Sequence, residues 1–251
     1  MTNNSTKFLT SVKGRAKNKD SSEFVSIILL CEKPGRRMKS YGPTCLVEIK
    51  GKKIIDLQIA AIKSIFKNFE IVIAAGFESE KIVKYIRKEL PRNINIRVVE
   101  NQVYHHSNCC ESIRLCLNNV CNDRILIASG DLLFHPTAIA SVIRSRASVL
   151  YQNKTDLSNL EVGAIFSEKS LIGLNYGIEG NSWAEMCFFR GRENIECLRN
   201  IISSVDYKNR LFFEALNSMI DRNKNIDAVY NKGPESVKIN NIKTLKRMNS
   251  K

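Results

Sequence analysis

The sequence has no run of about 18 consecutive apolar residues, which excludes a membrane-spanning helix. The first 23 residues, MTNNSTKFLTSVKGRAKNKDSSE, lack the apolar stretch of a secretory leader, so a cytoplasmic protein is expected. No CxxC pair occurs among the 8 cysteines, and several lie inside apolar runs such as ILLC and EMCFF. That spacing points to reduced, buried thiols rather than a zinc site or a disulfide framework. Adjacent Cys109 and Cys110, with His105 and His106 nearby, are a poor metal set, because neighbouring residues point apart and a tetrahedral site needs converging ligands. There is no internal repeat and no proline-rich linker, so residues 24–251 are read as one domain, a length at which a single sizeable core is common.

What the chain has is basic charge. Its 39 Lys and Arg against 25 Asp and Glu give a net charge of +14, a balance that favours anionic partners such as nucleotides, phosphorylated metabolites or nucleic acid. Residues 1–23 hold five basic groups against two acids and few large apolar side chains, and read as a disordered basic tail. The remaining charge is spread along the chain, and no DNA- or RNA-reading motif accompanies it. A nucleic-acid partner therefore ranks below a small anionic ligand.

From Phe24 onward, apolar runs alternate with helical periodicity. FVSIILLC, IVIAAG, INIRVVEN and RILIASGD read as strands, the first, second and fourth of them continuous apolar runs of the kind buried on both faces of a sheet. Between them, helices are expected over 54–66, 80–90 and 110–120, with another from about 136. This alternation predicts an α/β domain with a mostly parallel, doubly wound central sheet flanked by helices. Ligands in such sheets bind beyond the carboxyl ends of the strands, here the loops at 31–45, 76–79, 101–112 and 129–135. The second half is less regular. ASVLYQNK, LEVGAIFSE and AEMCFFRG read as strands, 195–204 and 210–222 as helices, and IDAVYNK with SVKINN as a final strand pair before a short basic helix.

The segment 27–58 carries the chemistry. A buried strand runs into a loop containing Lys33, Pro34, Gly35, Arg36, Arg37 and Lys39. Glycine lets the backbone approach a phosphate, and guanidinium forks match phosphate oxygens. Against this stands the ordinary solvated basic loop, which residue types alone do not exclude.

The stretch IILLCEKPGRRMKSYGPTCLVEIKGKKIIDLQIAAIK resembles the opening signature of the nucleotidyltransferase family that includes sugar-nucleotide pyrophosphorylases and choline-phosphate-type cytidylyltransferases. That signature runs roughly ILAAGxGxRM…PKxLxxIxGKPLIxxQIxxL, and Leu30, Gly35, Arg37, Met38, Pro43, Leu46, Ile49, Gly51, Lys52, Ile55 and Gln58 match it. ILIASGDLLF resembles the family strand that ends in a Gly-Asp pair, and SNCCESIRL resembles a stretch of the choline-phosphate-type members. Together these cover residues 24–245.

The resemblance implies a single GT-A-like (Rossmann-like) domain in which a sugar phosphate or alcohol phosphate attacks the α-phosphorus of a nucleoside triphosphate. Leu30, Cys31, Lys33, Gly35, Arg36, Arg37 and Gly130 would line the triphosphate, and Gly76, Asn108 and Ser112 the base and ribose. Asp131 would hold Mg²⁺, with Asn240 as its second ligand, and Trp183 and Glu185 would meet the acceptor. Two charged family positions are altered. Thr44 stands where the signature has lysine, and Asn240 where an aspartate is usual. An active nucleotidyltransferase and a nucleotide-binding protein that has lost turnover both remain open at this stage. Phe188 and Phe189, on the same predicted strand as Glu185, are read as core, because strand faces alternate.

Overall fold

In a computed structural model the described residues are 24–91, 93–120, 122–154 and 161–250. The basic tail expected over residues 1–23 lies outside them. No helix among the described residues is long and apolar enough to cross a membrane.

Four strands form the parallel half of a mixed sheet. They are β1 (Val25–Cys31), β4 (Phe69–Ala75), β5 (Asn95–Glu100) and β6 (Arg124–Ser129), in the order β5-β4-β1-β6. Between β1 and β4 come the short hairpin β2 (Glu48–Ile49) and β3 (Lys52–Lys53), then helix α1 (Ile54–Ile65). Helices α2 (Ser79–Glu89) and α3 (Cys109–Leu117) follow β4 and β5. After β6 come the two-residue strand β7 (Leu132–Leu133) and α4 (Pro136–Val142).

The strand faces explain the layering. In β1 the side chains of Val25, Ile27 and Leu29 enter a core with α1 and α4, while Ile28 enters a second core with α3. Both sides are fully buried, so the run is apolar without alternation, as a central parallel strand requires.

The sheet is not mostly parallel throughout, which corrects the sequence-based expectation. Strand β11 (Gly180–Arg190) joins β6 antiparallel. Beyond it lie β8 (Ala147–Lys154), β12 (Asp227–Tyr230), β10 (Ser170–Tyr176) and β9 (Val162–Ser167), and β9 pairs back onto β11, closing this half into a small barrel. Helices α5 (Arg192–Ile202) and α6 (Phe212–Asp221) cover it. Strand β10 was not anticipated. Nor do the last two predicted strands pair with each other. β12 runs parallel to β8, and β13 (Val237–Lys238) pairs antiparallel with β7.

This last pairing matters for function. It lays the chain at 237–240 against Asp131, with Ile239 N–H donating to the Asp131 carbonyl at 2.8 Å. Helix α7 (Ile242–Ser250) then packs Leu245 and Met248 onto Met38, Val47 and Ile54, bracing the loop after β1 from the other side.

Candidate functional site

A cavity of about 330 Å³ opens beyond the carboxyl ends of β1 and β6. Its near side is the loop Leu30–Arg36 with Thr44 and Asn108; its floor is Ser129–Asp131; its far wall is Trp183, Glu185, Tyr176 and Phe212. Lys238 and Asn240 complete it.

Most of the residues singled out in the sequence meet here. Leu30, Cys31, Lys33, Gly35, Arg36, Thr44, Asn108, Gly130, Asp131, Trp183, Glu185 and Asn240 all line the cavity. Three others do not. Arg37 is exposed at φ 58° on the outer side of the loop, off the lining. Gly76 lies beneath it, where a Cβ would meet the Glu32 carbonyl at 2.6 Å and the Tyr104 ring at 2.7 Å. Ser112 is fully buried and accepts a hydrogen bond from Asn101 at 3.0 Å, inside the α3 packing layer. Phe188 and Phe189 are wholly buried and enter opposite cores, as strand alternation requires.

The turn carrying Asp131 is built closely. Gly130 N–H donates to the Leu30 carbonyl at 2.8 Å, and Gln58 spans the turn by donating to the carbonyls of Ser129 at 2.9 Å and Leu132 at 2.8 Å. Ser129 Oγ donates to Asp131 Oδ1 at 2.7 Å, which fixes the carboxylate's rotamer. Gln58, the buried glutamine of the opening signature, is therefore a brace for the acidic turn. On the opposite side the main-chain N–H of Arg36 donates to the Asn240 carbonyl at 2.7 Å, tying the basic loop to the strand of Asn240.

Asp131 and Asn240 both line the cavity, and Asn240 Oδ1 accepts from Asn241 Nδ2 at 2.8 Å, which leaves that oxygen one lone pair for a ligand. No group of three or more His, Cys, Asp or Glu that could hold a metal occurs among the described residues. Such a donor set does not make an all-protein cage. It does fit Mg²⁺, which takes one or two carboxylates and fills its octahedron with phosphate oxygens and water.

Thr44 has a definite task. Its Oγ1 accepts from Gly35 N–H at 2.8 Å, and the residue is buried, so the hydroxyl helps set the shape of the loop. Thr44→Val is expected to leave the Gly35 N–H without a partner at a cost of about 1–3 kcal/mol. A urea melt checks this, and a melt matching the parent would remove Thr44 from the loop's support.

Glu32, between Cys31 and Lys33, is 5% exposed. Burial pushes its carboxyl from the ordinary 4.5 up to about 7; nearby Asp131 pushes the same way, while Lys33 and Lys238 pull it down. Between those values the folded chain keeps a proton that the unfolded chain has released, so this group lowers stability as pH rises. The cost is complete above pH 7, at about 3 kcal/mol. Glu32→Gln is expected to remove that slope and to melt several degrees above the parent at pH 8, with the gap closing near pH 5. Melts across that range check it, and parallel curves for the two proteins would contradict it.

Lys238 was overlooked in the sequence, where KINN drew attention only to Asn240. Its ammonium donates to Glu185 Oε1. Burial works against its charge, but Asp131 and Glu185 more than offset that and hold it above the ordinary lysine range. Burial likewise pushes the Cys109 thiol up to about 12; Cys31, Cys45, Cys110, Cys116 and Cys187 are buried as expected, whereas Cys109 and Cys197 are only half-buried.

Residues 47–171 match a family described as a domain of unknown function, DUF6564. The CTP:phosphoglutamine cytidylyltransferase of Campylobacter jejuni is 27% identical over 107 residues, which span 41% of this chain and only 41% of that protein. Among solved structures, the inositol-1-phosphate CTP transferase of T. maritima superposes with a TM-score of 0.69 at 17% identity, covering 89% of this chain and 94% of its own. The CTP:phosphocholine cytidylyltransferase of Streptococcus pneumoniae gives 0.73 at 16% identity, over 90% and 98%. A UDP-glucose pyrophosphorylase in complex with UDP-glucose gives 0.72 at 12% identity, over 91% and 98%. The chain has the fold of these nucleotidyltransferases and resembles the pyrophosphorylases and cytidylyltransferases to which its opening signature pointed.

Proposed function

We propose that this chain transfers a nucleoside monophosphate from a nucleoside triphosphate to a sugar phosphate or alcohol phosphate, with release of pyrophosphate. The observation that carries the reading is the convergence of the Gly35–Arg36 loop, Asp131 and Asn240 on one cavity whose other wall is Trp183 and Glu185.

The division of labour follows from position. Lys33 and Arg36 supply cationic donors at the entrance, while Gly35 lets the loop pack closely, since a Cβ there would stand 2.8 Å from Met38 Sδ and 3.1 Å from the Asn240 carbonyl oxygen. Lys33 also donates to the Asn108 side-chain oxygen, and Asn108 donates to the Asn209 carbonyl at 2.7 Å, so this rim is anchored on both sides. Asp131 and Asn240 would hold Mg²⁺, which offsets negative charge on the phosphates as the α-phosphorus is attacked. The acceptor would lie against Trp183, whose buried indole N–H has no hydrogen-bond partner among the described residues.

A nucleotide-binding protein without turnover is the second reading, favoured by Thr44, a neutral hydroxyl bonded to Gly35 where related signatures carry lysine. Nucleotide binding is common to both. Thermal unfolding in the presence of CTP, UTP, dTTP, GTP or ATP, each with and without Mg²⁺, tests it. A ligand at 100 times its Kd stabilises by about 2.7 kcal/mol, so a clear rise in Tm with one nucleotide is expected. No rise with any of the five would overturn both readings.

A further inference from the structure

Lys238 and Glu185 form an ion pair inside the cavity that no step above uses. Glu185 sits at φ 49°, a left-handed conformation rare for a residue with a side chain, where the pairing of β11 with β8 breaks between Trp183 and Cys187. Such a bulge re-aims a side chain at a local cost that the surrounding structure must support. Here the re-aimed carboxylate faces the cavity and grips one ammonium. A salt bridge serving the fold alone needs neither the bulge nor the strain.

The placement of Lys238 adds the second half of the argument. β13 sets it opposite Leu132, the residue after Asp131, and two positions before Asn240. Its charge therefore stands between Asp131 on the triphosphate side and Glu185 on the acceptor side. The reaction must bring two anions together there. The position from which related signatures supply lysine holds Thr44, already bonded to Gly35. Lys33 is exposed at the rim and occupied by Asn108.

We propose that Lys238 is the catalytic cation of this site, bridging the attacking phosphate of the acceptor and the α-phosphate, with Glu185 as the residue that positions it. This rests on the nucleotidyl-transfer reading. An oxygen of the acceptor phosphate forms the new bond to the α-phosphorus, the bond from that phosphorus to the α,β-bridging oxygen breaks, and pyrophosphate leaves with the electron pair. Lys238 keeps its proton throughout and lowers the repulsion between the two reactants.

The test compares the parent with Lys238→Met, Lys238→Arg and the exchanged pair Lys238→Glu with Glu185→Lys. Two readouts are taken. One is turnover with the KM of each substrate. The other is fluorescence of Trp183, the chain's one tryptophan, titrated with the five nucleoside triphosphates and with inorganic phosphate as the minimal acceptor probe. Lys238→Met is expected to lower kcat about 100- to 1000-fold and to weaken the phosphate titration about tenfold, with a smaller loss of nucleotide affinity, because Lys33 and Arg36 still meet the triphosphate. Lys238→Arg should recover much of both losses. The exchanged pair should melt like the parent yet turn over as slowly as Lys238→Met. A pair that mattered only to the fold would be rescued by the exchange, so parent-like turnover there overturns the proposal. Unchanged turnover and phosphate affinity in Lys238→Met overturn the Lys238 assignment alone. A parent that binds none of the five nucleotides overturns the nucleotidyl-transfer reading, and the assignment with it.

Discussion

Asp131→Ala is expected to lower turnover by about three orders of magnitude while leaving the fold intact. Removing one preorganised stabiliser of developing charge costs about 100- to 1000-fold, and loss of the charged ligand of a metal adds to that. The fold should tolerate the change because the side chain's hydrogen bond is to Ser129 Oγ, Lys238 keeps its pair with Glu185, and the strand contact from Ile239 uses the Asp131 carbonyl, which alanine keeps. Relief of repulsion with Glu32 works in the same direction. Parallel measurements of pyrophosphate release and Tm check it. A variant with activity within tenfold of the parent would remove Asp131 from the chemistry.

Gly130→Ala is expected to be the most damaging small substitution in the site. A Cβ there would stand 2.2 Å from Cys31 Sγ and 2.8 Å from the Leu30 carbonyl oxygen. The first contact is a side chain in a packed core; the second is backbone that cannot swing aside. Overpacking of this kind costs about 1–3 kcal/mol or more, and at about 2–4 °C per kcal/mol in a chain of this size the melt should drop by several degrees. The hydrogen bond from Gly130 N–H to Leu30 would be forced apart with it, so nucleotide affinity should fall too. Gly51→Ala is the control. Nothing lies within 4 Å of its Cβ, and its φ of 76° leaves only the left-handed penalty, about 1 kcal/mol. Adding Cys31→Ala to Gly130→Ala should restore part of the stability but not all, since the Leu30 contact remains. Equal melts for Gly130→Ala and Gly51→Ala would contradict the packing argument.

The first half of the fold was legible because its signals are local. β1, β4 and β6 are apolar runs buried on both faces, and α1 repeats its apolar residues at helical spacing from Ile54 to Ile65. The barrel half was not. β10, the sequence SLIGLNY, mixes polar and small residues and mostly exposes one face. β12 finds β8 across nearly eighty residues, a partnership that no window of sequence contains. Closure of β9 onto β11 is likewise a non-local event, joining Gly163 to Ser182.

The site divides along the same line. Gly35, Arg36, Asn108 and Asp131, each in a compact motif at a strand end, do come together in the cavity lining. Arg37 shared the motif but points elsewhere, since a positive φ turns the chain just before it would face the cavity. Ser112 fell on the inward face of α3, one side of a helix whose orientation the motif did not fix. Lys238, Tyr176 and Phe212 arrive from distant segments, and their place in the cavity follows only from the β13–β7 and barrel pairings.

Pyrophosphate release by the purified chain tests the central claim most directly. Each of CTP, UTP, dTTP, GTP and ATP is offered with Mg²⁺ and a panel of sugar and alcohol phosphates, with Asp131→Ala in parallel. The account predicts release that needs one nucleotide and one acceptor together and is lost in the variant. Silence across the whole panel from a chain that still binds a nucleotide would contradict transfer and leave a nucleotide-binding protein in its place.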